Sequence, residues 1–399
     1  MQFDIVIVGA GPAGMALARS LAESGLAIGV VEKRTEDAIA DPAFDGREIA
    51  LTHNSMALLQ ALGAWQHIPP EVPSPMKAAR VLNGGSPYAL RFDTAGHKHD
   101  TLGKLVPNHL IRRALYRSIQ GQGNLDLLCG RGVTAVSTDT DGARVTLEDG
   151  QTLSARLVVA ADTRFSETRR RQGIPAVMHD FGKVMIVCAV EHEQPHENVA
   201  TEWFEHGHTI AMLPMQGNRS SAVLTDEGAK ADRLMAMDAD AFSAEVTRRY
   251  RGRLGQMRLD SVRHAYPLVA TYAVRFAARR FVLVGDSAVG MHPVTAQGFN
   301  LGLQGQDTLA KAIRRVAGRG GDIGAPAVLR EYEMRHRAAT LPLWLATNAI
   351  ARLYVEESLP ARLAREATLR LGAGLPLVRG AIVSHLQRGG ARRVASTAA

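Results

Sequence analysis

Apolar residues at the start of the chain come in two short runs separated by a glycine turn and a helical stretch. The first run reads Phe3 to Val8, and the second, Ala27 to Val31, stops at Glu32. Between them, the residues after the turn have apolar positions at helical spacing as far as Glu23. This pattern predicts a strand, a tight turn, a helix and a second strand, which together form a βαβ unit.

Farther along, the pattern alternates between helical and strand-like periods. A helix is predicted at Thr52–Leu62, with Thr52 as its N-cap, and a short buried strand at Phe281–Val284. Helical periodicity also covers 327–353, where Pro342 predicts a break into two pieces. The 360–388 tail is predicted to be an amphipathic helix. Further strands are predicted at 76–82, 88–92, 125–128, 132–137, 143–147, 156–160, 184–190, 201–205, 209–213 and 220–225, and further helices at 109–118, 239–251 and 300–316.

The order of these elements predicts an α/β fold. A Rossmann-like nucleotide-binding domain contains inserted β structure, a mostly antiparallel β-sheet forms a substrate domain, and the C-terminal region is helical. The expected segments are 1–75, 101–178 and 276–340 for the nucleotide domain, 76–100 and 179–275 for the substrate domain, and 341–399 for the C-terminal helices and tail.

Composition narrows the class of protein. The 399 residues suffice for two domains, and 46% hydrophobic with 22% charged residues is ordinary for a globular protein. Cys129 and Cys188 provide neither a disulfide framework nor a metal set, and the N-terminus is not of the secretory type, so we expect a cytoplasmic protein. The net charge of +8 would favour peripheral association with an anionic inner membrane, and association with a biosynthetic complex also stays open, whereas no nucleic-acid motif is present.

The glycine turn has the chemistry of a dinucleotide site. Gly9 permits the turn, Gly11 lets a pyrophosphate approach the backbone, and Gly14 lets the helix pack close to the strand. The helix N-terminus presents free N–H groups to the phosphates, and Glu32 is placed to accept from ribose hydroxyls.

Two later stretches repeat the pattern of a strand that ends in an acid. Gly285-Asp286 follows a buried strand and leads through His292-Pro293 to a helix that begins near Gly298. Asp162 follows another strand and precedes Thr163 and a group of arginines. Carboxylates at the carboxyl edge of a sheet lie where cofactors bind in open α/β folds.

These three motifs, together with the segment Asp45–Leu51, resemble those of the flavin-dependent aromatic hydroxylases of the p-hydroxybenzoate hydroxylase type. Within that group the chain is most similar to the ubiquinone-biosynthesis hydroxylases, with which it shares the sequence motifs at 45–51 and at 297–302. Three positions depart from the usual pattern: Thr163 and Ala296 stand where glycine is common, and Val289 stands where histidine is expected.

The resemblance implies tightly but non-covalently bound FAD and a set of residues around it. Asp286 would bind the ribityl chain, and Asp162 would shape the region where NAD(P)H passes. A weaker expectation places the substrate pocket at Trp203, Met212 and Pro293. The implied cofactor-binding residues are Gly9, Gly11, Pro12, Ala13, Gly14, Glu32, Lys33, Arg47, Arg112, Val133, Asp286, Pro293, Gly298, Phe299 and Asn300.

The implied reaction is hydroxylation of an aromatic ring with NAD(P)H and O₂ through a flavin C4a-hydroperoxide, with a polyprenyl phenol or quinol of ubiquinone biosynthesis as the substrate. Such an enzyme needs few protein acids or bases, and no catalytic residue is nominated. The sequence leaves open another aromatic metabolite, a non-oxygenating flavin reductase and a flavin-binding scaffold without turnover. It also leaves open whether the cosubstrate is NADH or NADPH, and whether the protein is a monomer or a homodimer.

His192 and His196 have metal-ligand spacing, but Pro195 between them favours a loop, and no metal is expected.

Overall fold

The computed structural model describes residues 1–95, 99–205 and 207–355, and for Tyr354 and Val355 the backbone alone. The predicted tail helix at 360–388 lies outside the described residues. The strands are β1 Ile5–Val8, β2 Ile28–Glu32, β3 Glu48–Leu51, β4 Ser74–Met76, β5 Ala78–Asn83, β6 Leu90–Asp93, β7 Gly103–Pro107, β8 Leu125–Cys129, β9 Val133–Thr138, β10 Ala143–Leu147, β11 Thr152–Ala155, β12 Leu157–Ala160, β13 Ala176–His192, β14 Val199–Phe204, β15 Thr209–Pro214, β16 Arg219–Glu227, β17 Met257–Leu259, β18 His264–Ala273, β19 Ala277–Ala278, β20 Phe281–Leu283 and β21 Val289–Gly290. The α-helices are α1 Pro12–Ser20, α2 Glu36–Ala40, α3 His53–Ala61, α4 Asn108–Ile119, α5 Glu167–Arg171, α6 Gly228–Ala236, α7 Ala239–Arg249, α8 Gly298–Ala317 and α9 Pro326–Val355.

A six-stranded sheet in the order β19-β20-β12-β1-β2-β8 carries the predicted βαβ unit. Its strands are parallel except for the edge pair β19 and β20. The side chains of β1 are buried on both faces, as expected for the centre of a parallel sheet covered by helices. Because β1, β12 and β20 are neighbours, the Gly9, Asp162 and Asp286 motifs all begin at the same edge of the sheet.

A larger, mostly antiparallel sheet has the order β21-β18-β13-β16-β15-β14-β5-β6, with β17 paired to β13. Its side chains alternate between two faces. One face packs against α6 and α7 in a core that contains Trp203, Leu224 and Phe242. The opposite face, which we call the inner face, carries the intervening positions of the same strands, such as Val187 and Val223, which are paired across β13 and β16.

A small sheet, β3-β7-β4, lies between the two larger ones. Gly46, just before β3, contacts the inner face: a Cβ built on Gly46 would lie 3.5 Å from Val187 Cβ and 3.1 Å from His264 Cδ2. At the other end of β3, Ala50 packs with Met76 and Ala200. The inner face therefore looks toward the segment that carries Arg47.

The α/β fold class is confirmed, including the inserted three-stranded sheet β9–β11 and the long helices after β20. The predicted N-cap is also present, since Thr52 Oγ1 accepts from Ser55 N at 3.2 Å. Helix α6 was not predicted.

The predicted break at Pro342 is wrong, because α9 is continuous from Pro326 to Val355. Proline removes one backbone hydrogen bond, but buried side chains on both sides of it hold the two halves in line. Tyr332 donates to Leu283 O on one side of Pro342, and Trp344 packs into the main core on the other.

Among the described helices, none combines the length and apolar character that crossing a bilayer would require.

Candidate active site

The glycine turn is closed by direct packing between three backbone segments. A Cβ on Gly14 would lie 2.0 Å from Gly9 O, and a Cβ on Gly9, whose φ is +108°, would lie 2.7 Å from Ala161 O. Both positions therefore require glycine. Gly11 is different, since its Cβ would meet nothing closer than Ala161 O at 3.9 Å. The turn is tight toward the protein and open at Gly11, on the side where α1 begins with Pro12 and Ala13.

Glu32 is a buried acceptor beside this turn. Its Oε2 accepts from Ala10 N at 2.9 Å, and its Oε1 accepts from the backbone and side chain of Arg34 at 3.0 and 3.1 Å. Burial alone would raise the pKa of Glu32, but the hydrogen bonds and charge of Arg34 lower it below its usual value. The carboxylate is therefore anionic and fixed at the end of β2, ready to accept further hydrogen bonds.

The two other predicted residues of this region lie at its margin. Lys33 is 79% exposed and lies 3.8 Å from Glu148 Oε1, so its charge is at the surface. Val133 is half-buried against the main core. The loop before Val133 approaches β2 directly, because Arg131 N donates to Glu32 O at 3.0 Å.

Three arginines gather near Glu32. Burial lowers the pKa of Arg112, and the positive charges of Arg34 and Arg47 lower it further, although Asp45 and Glu32 oppose this shift. Within the described residues, the Arg112 guanidinium has no hydrogen-bond or ion-pair partner, whereas Arg47 Nη2 binds Asp45 Oδ2 at 2.6 Å. Mutually repelling cations at the mouth of a glycine turn match the charge of a pyrophosphate.

The Asp286 loop lies directly against the first helix. Gly285 has a φ of +63°, and a Cβ there would lie 2.8 Å from Ala13 Cβ. Asp286 is partly exposed, and its Oδ2 pairs with Arg164 Nη2 at 3.3 Å. The Asp286 loop therefore packs against the start of α1, directly after the glycine turn.

Asn300 joins α8 to β3 and α3. Its Oδ1 accepts from Thr52 N at 3.0 Å, and its Nδ2 donates to Ala50 O at 2.9 Å and Ala296 O at 3.1 Å. The first turn of α8 therefore presents Gly298 and Phe299 next to β3. Ala296 adopts the left-handed conformation, with a φ of +52°, that a glycine would take without strain.

The Asp162 motif is tied to the Asp286 loop through Arg169. Arg169 Nη1 donates to Ser287 O at 2.8 Å and to Arg164 O at 3.1 Å. Asp162 itself is largely buried, and burial raises its pKa despite hydrogen bonds from Ser166 and Thr168. Thr163 closes the turn without glycine, since its carbonyl accepts from Ser166 N at 2.9 Å.

Comparison with known proteins places the chain in a family. The FAD binding domain family matches residues 2–340. The chain is 43% identical over 390 residues to ubiquinone hydroxylase UbiM of Neisseria meningitidis, covering 97% of this chain and 85% of that protein. It is 38% identical to ubiquinone hydroxylase UbiL of Rhodospirillum rubrum, covering 93% and 85%. The chain belongs to this family of FAD-binding hydroxylases.

The fold of this hydroxylase is also that of solved flavoprotein monooxygenases. The p-nitrophenol 4-monooxygenase PnpA of Pseudomonas putida superposes with a TM-score of 0.79 at 17% identity, covering 98% of this chain and 100% of that one. The anhydrotetracycline hydroxylase OxyS of Streptomyces rimosus gives 0.74 at 22% identity, covering 98% and 77%.

The residues of the hydroxylase fit FAD. The open side of Gly11 lies at the N-terminus of α1, Arg112 adds positive charge without a partner among the described residues, and Glu32 is an anionic acceptor. These groups match a pyrophosphate flanked by a ribose. Asp286 follows Gly285, which packs against Ala13 at the start of α1, so a second carboxylate lies near the same helix N-terminus.

The prediction that Trp203 and Met212 line the substrate pocket needs correction. Both lie in the core between the larger sheet and α6 and α7, which is the face opposite to the cofactor segment. Trp203 is 1% exposed, and its Nε1 donates to Gly84 O at 3.1 Å. The error concerns strand parity: the intervening residues, such as Ala211, lie on the inner face of the sheet. Pro293, by contrast, is exposed at the start of the short 3₁₀ turn before α8.

Glu48, beside Arg47, was not nominated from the sequence. It follows Arg47 at the start of β3 and is half-buried. Burial and then the negative charge of Asp45 raise the pKa of Glu48 to about 8, against a weaker opposite effect of Arg219. The available signal was an acid directly before the apolar run Ile49-Ala50-Leu51.

The raised pKa predicts a pH-dependent stability that glutamine removes. In the unfolded chain Glu48 has the ordinary glutamate pKa of about 4.5, so its stabilising contribution is complete below that pH and is lost as pH rises to about 8. The loss is up to ~1.4 kcal/mol per pH unit. We therefore expect the free energy of unfolding of Glu48→Gln, relative to wild type, to rise across pH 5–8, as measured by urea unfolding of the flavin-loaded protein. The control Glu23→Gln, at an exposed position, should show the same pH dependence of unfolding free energy as wild type. If Glu48→Gln also follows wild type across pH 5–8, the raised pKa of Glu48 is contradicted.

His192 and His196 are held by hydrogen bonds to the protein. His192 binds Gln194 O at 2.8 Å and Ser220 Oγ at 3.0 Å, and His196 binds Met215 O at 2.9 Å. No cluster of three or more potential metal-ligand side chains occurs within the described part of the chain.

Proposed function

We propose that this FAD-dependent hydroxylase uses NAD(P)H and O₂ to hydroxylate the aromatic ring of a polyprenyl phenol or quinol intermediate of ubiquinone biosynthesis. The observation that carries the proposal is the 43% identity over 97% of the chain to a ubiquinone hydroxylase. The fold is consistent with it, because the inner face of a mostly antiparallel sheet lies against the segment that carries Arg47.

The residues of the chain have separable tasks in this reaction. Glu32 and the helix N-terminus at Gly11 would hold the adenosine and pyrophosphate, with Arg47 and Arg112 neutralising the phosphate charge. Asp286 would bind the ribityl chain. Bound FAD supplies hydride acceptance from NAD(P)H and activation of O₂. The inner face of the sheet positions the ring and excludes water from it.

Peripheral association with an anionic membrane is part of the proposal. A polyprenyl substrate is lipid-soluble, and the net charge of +8 favours attraction to an anionic bilayer.

The test is a turnover assay with the purified, flavin-loaded protein. NAD(P)H oxidation should accelerate when a short-chain prenylphenol is added, and mass spectrometry should find a product one oxygen atom heavier, formed only in the presence of O₂. A product formed equally well without O₂ would favour a flavin reductase. No stimulation by any phenol, together with no hydroxylated product in a complemented deletion strain, would overturn the proposal.

A further inference from the structure

The segment Gly46–Ala50 crosses the inner face of the larger sheet. It starts where Gly46 contacts Val187 on β13, and it ends at Ala50, which packs against the small apolar cluster that contains Ala200 on β14 and against which Leu213 on β15 also packs. Strand β16 lies between β13 and β15. Glu48, in the middle of the segment, is therefore placed over β16.

Strand alternation fixes the direction in which Glu48 points. Ile49 and Leu51 pack into the core of the nucleotide-binding part, whereas Ala50 faces the inner face. Glu48 shares the parity of Ala50, so its carboxyl also faces the sheet. The charge of Arg219, at the start of β16, acts on Glu48, in agreement with this placement. Within the part of the chain that the structure describes, no group donates a hydrogen bond to this carboxyl.

Ser221 is the polar residue of β16 on this face. It is 1% exposed, and its Oγ is buried without a hydrogen-bond partner among the described residues. Its cross-strand neighbours, Ala189 on β13 and Leu213 on β15, are apolar. A buried hydroxyl without a partner is destabilising, and it indicates a ligand or a water molecule at that point.

We propose that Glu48 and Ser221 form the polar end of the substrate site and bind a hydroxyl oxygen on the aromatic ring. The proposal rests on the proposed function and assigns its ring-binding residues. The residue next to Glu48 is Arg47, which belongs to the cofactor site, so a ring held here lies beside the flavin.

The chemistry of the two side chains selects the class of ring. With a pKa of about 8, Glu48 is mostly neutral at pH 7, so its carboxyl both donates and accepts a hydrogen bond. Ser221 does the same, and a phenol or quinol hydroxyl needs one donor and one acceptor. A ring carboxylate would instead bring an anion toward Asp45, whose charge already acts on Glu48. The site therefore favours a neutral hydroxylated ring over an aromatic acid.

The test is equilibrium binding to the flavin-loaded protein, followed by the change in flavin absorbance. The probes are a short-chain prenylphenol and the same compound with a ring carboxylate. Wild type should bind the phenol at least about tenfold more tightly than the acid. Ser221→Ala and Glu48→Ala should each weaken phenol binding roughly tenfold, the scale of one lost hydrogen bond. Glu48→Gln keeps a donor and an acceptor and should stay within about threefold of wild type at pH 7.

Matched controls and the contrary results separate this inference from the proposed function. Ser137→Ala and Glu23→Gln, both at exposed positions, should bind the phenol as wild type does. If the phenol binds and is hydroxylated but Ser221→Ala and Glu48→Ala bind it normally, the two side chains have a structural role and the inference is overturned, while the proposed function stands. If Glu48→Ala does not retain flavin, Ser221→Ala decides. Equal affinity for the phenol and the acid also contradicts the inference.

Discussion

Gly14→Ala is expected to yield a protein without flavin. A Cβ at this position would lie 2.0 Å from Gly9 O, which is rigid backbone, so α1 has to move away from the turn. Forcing atoms into a packed site costs at least 1–3 kcal/mol, and the backbone contact here puts the change at about the upper end or beyond. The same movement separates the helix N-terminus from the phosphate position. We expect flavin content per chain to fall at least roughly tenfold and the melting temperature to fall with it.

Gly123→Ala provides the matched control. A Cβ there meets no atom within 4 Å, the residue is exposed, and its φ is not in the left-handed region. Its flavin content and melting temperature should match those of wild type. Full flavin content in Gly14→Ala would show that the turn does not carry the cofactor.

The second large effect is expected for Arg112→Met, which should raise the stability of the flavin-free protein and lower its affinity for FAD. Its guanidinium is partly buried, has no described partner and is repelled by Arg34 and Arg47. Without cofactor, Arg112→Met should therefore stabilise the protein by about 1 kcal/mol, since an unpaired cation becomes an apolar side chain of similar length. Toward FAD, the lost charge-assisted contact should weaken binding about 10–100-fold, corresponding to 1.5–3 kcal/mol. Urea unfolding of the flavin-free protein and fluorescence titration with FAD measure the two quantities.

Arg117→Met, at an exposed position near the end of the same helix, removes the same charge from α4 and should change neither quantity appreciably. If Arg112→Met binds FAD as tightly as wild type, the arginine cluster does not face the phosphates. If it destabilises the flavin-free protein, the cation has a protein partner.

The parts of the site that the sequence predicts are those with a local cause. The turn at Gly9–Gly14 and the acid at Glu32 form one contiguous unit, so residue type and spacing suffice to assign their roles. Asn300 was expected near the cofactor from family resemblance alone. Its bonds to Thr52 and Ala50 join residues some 250 positions apart, and no local pattern encodes them.

The wrong predictions have a common physical origin in tertiary packing. Trp203 and Ala211 lie on opposite faces of the larger sheet. Which face meets the cofactor depends on where the β3 segment lies, and not on the hydrophobicity of the residues. Small and polar residues such as Ser221 lie on the inner face, whereas the fully buried Trp203 lies in the core with α6 and α7. Pro342 is likewise tolerated because packing on both sides outweighs one missing backbone hydrogen bond.

The central claim is that one elongated cofactor lies along the edge of the parallel sheet, with its adenosine end at Glu32 and its ribityl chain at Asp286. A crystal structure of the flavin-loaded protein tests this most directly. We expect an adenosine ribose hydroxyl within hydrogen-bond distance of the Glu32 carboxylate and a ribityl hydroxyl within hydrogen-bond distance of Asp286. Electron density for FAD that avoids either carboxylate, or flavin bound elsewhere in the molecule, would contradict the account.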